Sequence, residues 1–242
     1  MRASLALTSF IWLLGALGCS ARMRMTPPER GRVAQALAQS SKVQYLQLSF
    51  YVTPFYGDLE KRLLTAVPPE EASWMVASSG ERLSPGWVER ILPPGLRARV
   101  TKVSFPSGFE MLERRGDVPR DFPWVYLEVE GQAPEVPLVL VMPAHLPDAS
   151  SFLSELEHHL GSENPSPRIN AWGEAVKTAI EQKRAIPDMA ADALEMAWGR
   201  PQFKRIVFQN EVRTEEWLYA GGRRSAELVE GRVVRLTPPS GN

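Results

Sequence analysis

From Leu5 to Gly18 the chain carries no charge, and this apolar stretch runs into Cys19, the only cysteine among 242 residues. A helix that spans a bilayer needs about 20 consecutive apolar residues, so the stretch is too short to read as a membrane span. A basic residue (Arg2), a short apolar run and small residues at its end form the pattern of a secretory signal peptide, placed here at residues 1–18. A single cysteine cannot close an internal disulfide. Whatever follows the leader has to be held by an apolar core, hydrogen bonds and ion pairs.

The leader ends Ala16-Leu17-Gly18-Cys19, which resembles a lipobox with its first two positions in reverse order. That resemblance implies that Cys19 carries acyl chains such as palmitate and becomes the N-terminus of a lipoprotein, with residues 19–26 as a lipidated tether. Each buried methylene contributes about 0.8 kcal/mol, so two or three chains anchor a protein stably to a membrane. Ser20, where an Asp would favour retention in the inner membrane, points to the outer membrane and a periplasm-facing position.

Lys plus Arg and Asp plus Glu both number 28, and no long run of like charge occurs. Nucleic-acid binders usually carry a basic stripe, so a nucleic-acid partner is not expected. Hydrophobic residues make up 44% of the chain and charged ones 23%, which is enough for a sizeable core. The 21 prolines fall mostly between periodic segments, as expected for short elements joined by stiff loops.

Thr26-Pro27-Pro28-Glu29 reads as a helix start with a capping box, the helix running to about Ser41. Val43 to Thr53 reads as a strand, and Gly57 to Val67, with Leu59, Leu63 and Leu64, as a helix. The segment from Trp74 to Met142 is mostly β, with strands over Leu96–Phe105, Trp124–Glu130 and Val136–Met142. Asp148 caps the next helix and Gly161 closes it. A helix over Arg168–Lys183 repeats Trp172, Val176 and Ile180, and a second, capped by Asp188, stops at Gly199-Arg200-Pro201. Strands at 203–208, 212–219 and 227–236 complete an antiparallel meander.

The fold class expected is therefore α+β. A mixed, β-rich domain covers 27–145, and a helical connection followed by a two-helix, three-strand antiparallel module covers 146–237, with a frayed tail at 238–242. Within residues 172–236 stand Met189-Ala190, Trp198-Gly199-Arg200-Pro201, Glu216-Trp217-Leu218-Tyr219 and Glu230-Gly231-Arg232-Val233-Val234. In their order and spacing these resemble the small outer-membrane lipoprotein family (SmpA/OmlA, BamE-like), whose member BamE is an accessory of β-barrel assembly. The resemblance covers about a quarter of the chain. It departs at Asp188-Met189-Ala190, where the family has Gly-Met-Thr, and in the long segment that precedes it here.

The resemblance implies a non-catalytic, periplasm-facing scaffold or interaction protein that aids outer-membrane assembly, with the membrane and barrel-assembly components as partners. Trp198, Trp217 and Tyr219 are the candidate protein-binding residues, because aromatic side chains are enriched at binding hot spots. The alternative is a periplasmic ligand-binding or inhibitor-like module, with a concave site in the β-rich part and Trp74, Trp87 and Trp124 as its aromatic residues. Glu155 and His159 share a helix face next to His158, but zinc needs at least three protein ligands, so no metal is expected. His145 stands alone, no nucleophile elbow or phosphate-binding loop is present, and neither catalysis nor a cofactor is expected.

Overall fold

The computed structural model describes residues 23–39, 43–72, 74–209 and 212–237. The leader 1–18, the lipidation site Cys19, the start of the tether and the tail 238–242 lie outside the described residues. The chain is α+β, and its strands form two separate sheets.

In chain order the first part contains α1 (Pro27–Gln39), β1 (Gln44–Leu46), β2 (Phe50–Phe55), β3 (Asp58–Thr65), β4 (Arg90–Leu92), β5 (Arg97–Ser104), α2 (Gly108–Glu113), β6 (Trp124–Val129), β7 (Leu138–Val141), α3 (Ala149–His159) and β8 (Leu160–Gly161). Its eight strands lie in the order β4-β2-β3-β7-β6-β5-β1-β8. All neighbours are antiparallel except β3 and β7. Both faces of this sheet are covered, which explains why β7 reads Leu-Val-Leu-Val without a polar residue. Leu64, Leu138, Leu140, Phe50 and Val52 pack with Val33 of α1 and Phe152 and Leu156 of α3. Leu63, Val139, Val141, Phe55 and Trp124 form a second cluster with Val118 on the other face. Burying one such side chain contributes roughly 1.5–3 kcal/mol.

Three local expectations change here. Gly57–Val67 is not a helix but contains the whole of β3, whose Leu63-Leu64-Thr65 is fully buried because consecutive side chains enter opposite covered faces. The long strand expected over Val43–Thr53 is two, separated at Gln47-Leu48-Ser49. Glu29 leaves its own helix start and accepts a hydrogen bond from the backbone N–H of Ala149, tying α1 to the beginning of α3. Asp148 does cap α3, its carboxylate accepting from the Ser151 N–H at 2.8 Å.

The second part comprises α4 (Ser166–Ala171), α5 (Glu174–Glu181), α6 (Ala191–Trp198), β9 (Phe203–Gln209), β10 (Val212–Tyr219), β11 (Arg224–Val229) and β12 (Arg232–Thr237). Its strands run β12-β11-β10-β9, a four-stranded antiparallel meander and not a three-stranded one. The single strand expected at 227–236 turns back at Glu230–Gly231, pairing Val229 with Arg232. The helix expected over 168–183 breaks at Gly173, where φ is +86°, a conformation that side-chain-bearing residues rarely adopt. Asp188 does not cap α6. It sits at φ +63° before the helix and reaches Arg232, while the extended Ala190 precedes the first turn. One face of the meander packs on α5 and α6 through Ile180, Leu194, Ala197, Trp217, Ala226 and Leu228.

The two parts join at Ser49, in the gap between β1 and β2. Its N–H donates to Met196 O and its hydroxyl to Ile180 O. Its carbonyl accepts from Lys183 Nζ at 2.6 Å. That ammonium also donates to Ala197 O, one of the free carbonyls at the end of α6.

Candidate functional site

Trp198, Trp217 and Tyr219 do not form an exposed patch: they are 8%, 2% and 1% exposed. They belong to the core between the helices and the meander, and two of them also meet Arg224 at the start of β11. Its guanidinium lies 4.3 Å from the ring of Trp198 and 4.9 Å from that of Tyr219, and the two rings meet edge-on at 5.3 Å. The cation is held by a buried ion pair, Arg224 Nη2 to Glu71 Oε2 at 3.1 Å, which crosses from one part of the chain to the other. Trp217 is sealed separately, with Lys204 Nζ 3.9 Å over its ring and its indole N–H donating to Glu215. These aromatics are internal anchors for cations.

The exposed apolar surface lies one strand further out. β9 is the free edge of the meander, and Phe203 and Phe208 are 67% and 72% exposed, with Ile206 and Val207 both at 48%. Its register with β10 puts Lys204, Ile206 and Phe208 on the face of Trp217, and Phe203 and Val207 on the face of Leu218. Natural sheets usually shield an edge with charge, proline, a bulge or a covering element. This one carries two ion-paired cations, Lys204 and Arg205, and beside them presents apolar side chains to both sides of a seven-residue strand.

An ion network fixes the root of β9. Glu195 on α6 accepts from Arg200 and meets Lys204, and Arg200 also reaches Glu155 on α3. His159 stands 3.7 Å from Glu155, and His158 Nε2 lies 3.2 Å from Glu195 without a hydrogen bond. The residues considered for a metal are therefore together, but with two cations among them, and no group of described residues has a metal-ligating arrangement. Burial, followed by the charges of Arg200 and His159, holds the His158 imidazole down at about 4, against the smaller pull of Glu155. Lys204 adds to the depression.

The sign of the resulting pH dependence follows directly. Below 6.5 the unfolded chain takes up a proton at His158 that the folded chain refuses, so stability falls as pH drops towards about 4. The slope is bounded at about 1.4 kcal/mol per pH unit for one proton. Urea midpoints measured stepwise across this range should fall in the native chain and flatten in His158→Gln. Below 4.5 a separate loss begins at Glu155, whose carboxyl is lowered chiefly by its close contact with His159. Equal slopes in the two proteins above that point would contradict this assignment.

His145 is exposed in the loop before α3 and has no polar side-chain partner among the described residues. The three tryptophans of the β-rich part do not converge: Trp124 is buried under Arg114, Trp74 is half-buried and Trp87 is exposed. A cavity of about 480 Å³ does open in this part, lined by apolar side chains such as Leu127, Val129, Val136 and Leu138 and also by Arg97 and Glu130. A second cleft, of about 430 Å³, lies where the two parts meet, between Tyr51, Pro68, Pro69, Lys183, Trp198 and Arg224. Reasoning from sequence passed over Lys183, Arg224 and Glu71. Alternation was the usable signal for one of them, since Arg224, Ala226 and Leu228 all face inward along β11.

Comparison of the chain with known protein families, curated proteins and solved structures finds no match. Among the described residues no helix is long and apolar enough to cross a membrane.

Proposed function

We propose that this is a non-catalytic lipoprotein of the cell envelope, held to the outer membrane by acyl chains on Cys19, which offers the free edge of β9 to an extended segment of a partner protein. The observation that carries the reading is the set of exposed apolar side chains on an edge strand, Phe203, Ile206, Val207 and Phe208. A strand added there would gain main-chain hydrogen bonds from the edge and apolar contact on both faces, the mode by which many domains capture extended peptides. The apolar leader ending on the chain's only cysteine supports the anchor, and the neutral charge balance agrees with a protein partner and not a nucleic acid. The ordered motifs of residues 172–236 add the BamE-like resemblance, from which a role as an accessory to outer-membrane assembly follows.

A photo-crosslinking amino acid placed singly at 203, 206 and 208 in cells is expected to trap one and the same envelope protein. Trapping should vanish in a chain also carrying Val207→Lys, and Cys19→Ala should release the protein from the membrane. Leu112, exposed on the other part of the molecule, is the control position. Crosslinks at β9 no stronger than at 112 would remove the edge from consideration. The cavity beside Arg97 favours the second reading, a periplasmic ligand-binding module, and saturable uptake of an apolar ligand with β9 unreactive would select it.

A further inference from the structure

The cleft between the two parts is lined by three basic side chains, Lys183, Arg184 and Arg224, against one acidic side chain, Glu70. Lys183 and Arg224 are both buried, and the one carboxylate buried with them is Glu71. Buried charges are ordinarily paired, because an uncompensated one retains most of its desolvation cost. The ammonium of Lys183 is spent on two neutral carbonyls. Arg224, whose side chain is only 6% exposed, gives one nitrogen to Glu71, while its Nε–H has no hydrogen-bond partner among the described residues. At the rim Arg184 is exposed and forms no ion pair with any described residue, and Glu70 is the single acidic group there. The remaining walls are flat and apolar: the Tyr51 and Trp198 rings, Pro68 and Pro69.

We infer that this cleft binds a small organic carboxylate with a flat apolar body, the carboxylate lying against Arg224 and Arg184 and the body against Tyr51, Trp198 and the Pro68-Pro69 turn. A guanidinium pair suits a planar carboxylate, which can accept two parallel hydrogen bonds. A doubly charged phosphate would face both Glu70 and Glu71 and would leave the apolar walls uncovered. The volume of about 430 Å³ lies within the range of small-molecule sites. Bound there, the carboxylate adds negative charge beside Arg224, which lines the cleft. The site is remote in chemistry from β9 and does not depend on the partner reading.

The carboxylate can belong to a free acid or to the C-terminus of a peptide, and the probes separate these. Binding to the full-length chain in detergent micelles is followed by saturation-transfer NMR, with empty micelles as blank. Phenylacetate is expected to bind saturably, and phenylacetamide about tenfold more weakly, the loss of one charge-assisted contact. Arg184→Gln, at an exposed position that the fold does not need, should weaken phenylacetate about tenfold. Inorganic phosphate should not compete. N-acetylphenylalanine binding as well as phenylacetate would assign the site to a peptide C-terminus, and its failure while phenylacetate binds would assign it to free acids. Equal binding of acid and amide, no saturation of either, or an unchanged Arg184→Gln protein would overturn the inference.

Discussion

Glu71→Ala is expected to cost about 3–5 kcal/mol of folding free energy, the range found when one member of a buried ion pair is removed. The pair as a whole is not a large net stabiliser. Burial outweighs the attraction of Arg224, and the Glu71 carboxyl is therefore held above its ordinary value. The damage comes from what stays behind. Without Glu71, the buried Arg224 loses the carboxylate it pairs with, and it sits locked between the rings of Trp198 and Tyr219, unable to leave for solvent without opening the core.

This reasoning makes a sharper statement about Lys183. Its pKa is lowered well below the usual lysine value by burial first and by the charge of Arg224 second, with Glu71 acting in the opposite sense. Lys183→Met removes the hydrogen bonds to Ser49 and Ala197, so alone it should destabilise by about 1–3 kcal/mol. Combined with Glu71→Ala it should destabilise less than the sum of the two, by at least about 1 kcal/mol, because the second change relieves the imbalance created by the first. Urea unfolding of the four proteins of this cycle measures the coupling. Additivity within about 0.5 kcal/mol would mean that Lys183 and Glu71 do not share one electrostatic environment.

The elements that could be read from sequence were those whose pattern has a single cause. Trp124–Val129 alternates because one side of the strand is more tightly covered than the other, and Asp148 precedes a helix it does cap. Gly57–Val67 misled because Leu59, Leu63 and Leu64 recur at helical spacing. In the structure Leu59 is exposed while Leu63 and Leu64 enter opposite faces of a covered sheet, a neighbourhood created by β7, more than 70 residues later. The candidate site failed for a related reason. An aromatic residue on a strand looks the same in sequence whether it meets a partner protein or an arginine of its own chain. Trp198 and Tyr219 are closed by Arg224, and Arg224 is held by Glu71 from the other part of the molecule, a relation with no local trace. The exposed edge was visible only as a strand. That β9 lies outermost follows from the turn at Ala220–Gly222, which returns β11 along the far side of β10, and from the hairpin at Glu230–Gly231, which adds β12 beyond it.

Gly199→Ala is the second substitution expected to have a large effect, about 1–3 kcal/mol. The helix stop expected at Gly199-Arg200-Pro201 falls at this residue. It stops the helix with φ +81° and ψ −176°, an extended conformation of positive φ that is almost confined to glycine. A Cβ at this position would also stand 3.3 Å from the Cβ of Ala66, just after β3, so the site is tight as well as strained. The two contributions can be separated. Ala66→Gly in the same chain removes the contact but not the backbone strain, so the double variant should recover only a minor part of the lost stability. Full recovery would show that crowding between the two parts, and not the backbone of Gly199, sets the cost. The consequences reach the seam through the atoms next to it. Gly199 N–H caps Glu195 O, Gly199 O accepts from the Tyr219 hydroxyl, and the preceding residues supply Ala197 O to Lys183 and the Trp198 ring to Arg224. A shift of the chain at 199 therefore loosens both cations at once. In Gly199→Ala the amide protons of Ser49 and Lys183 should exchange with solvent faster than those at the centre of β6, a difference that amide hydrogen exchange resolves.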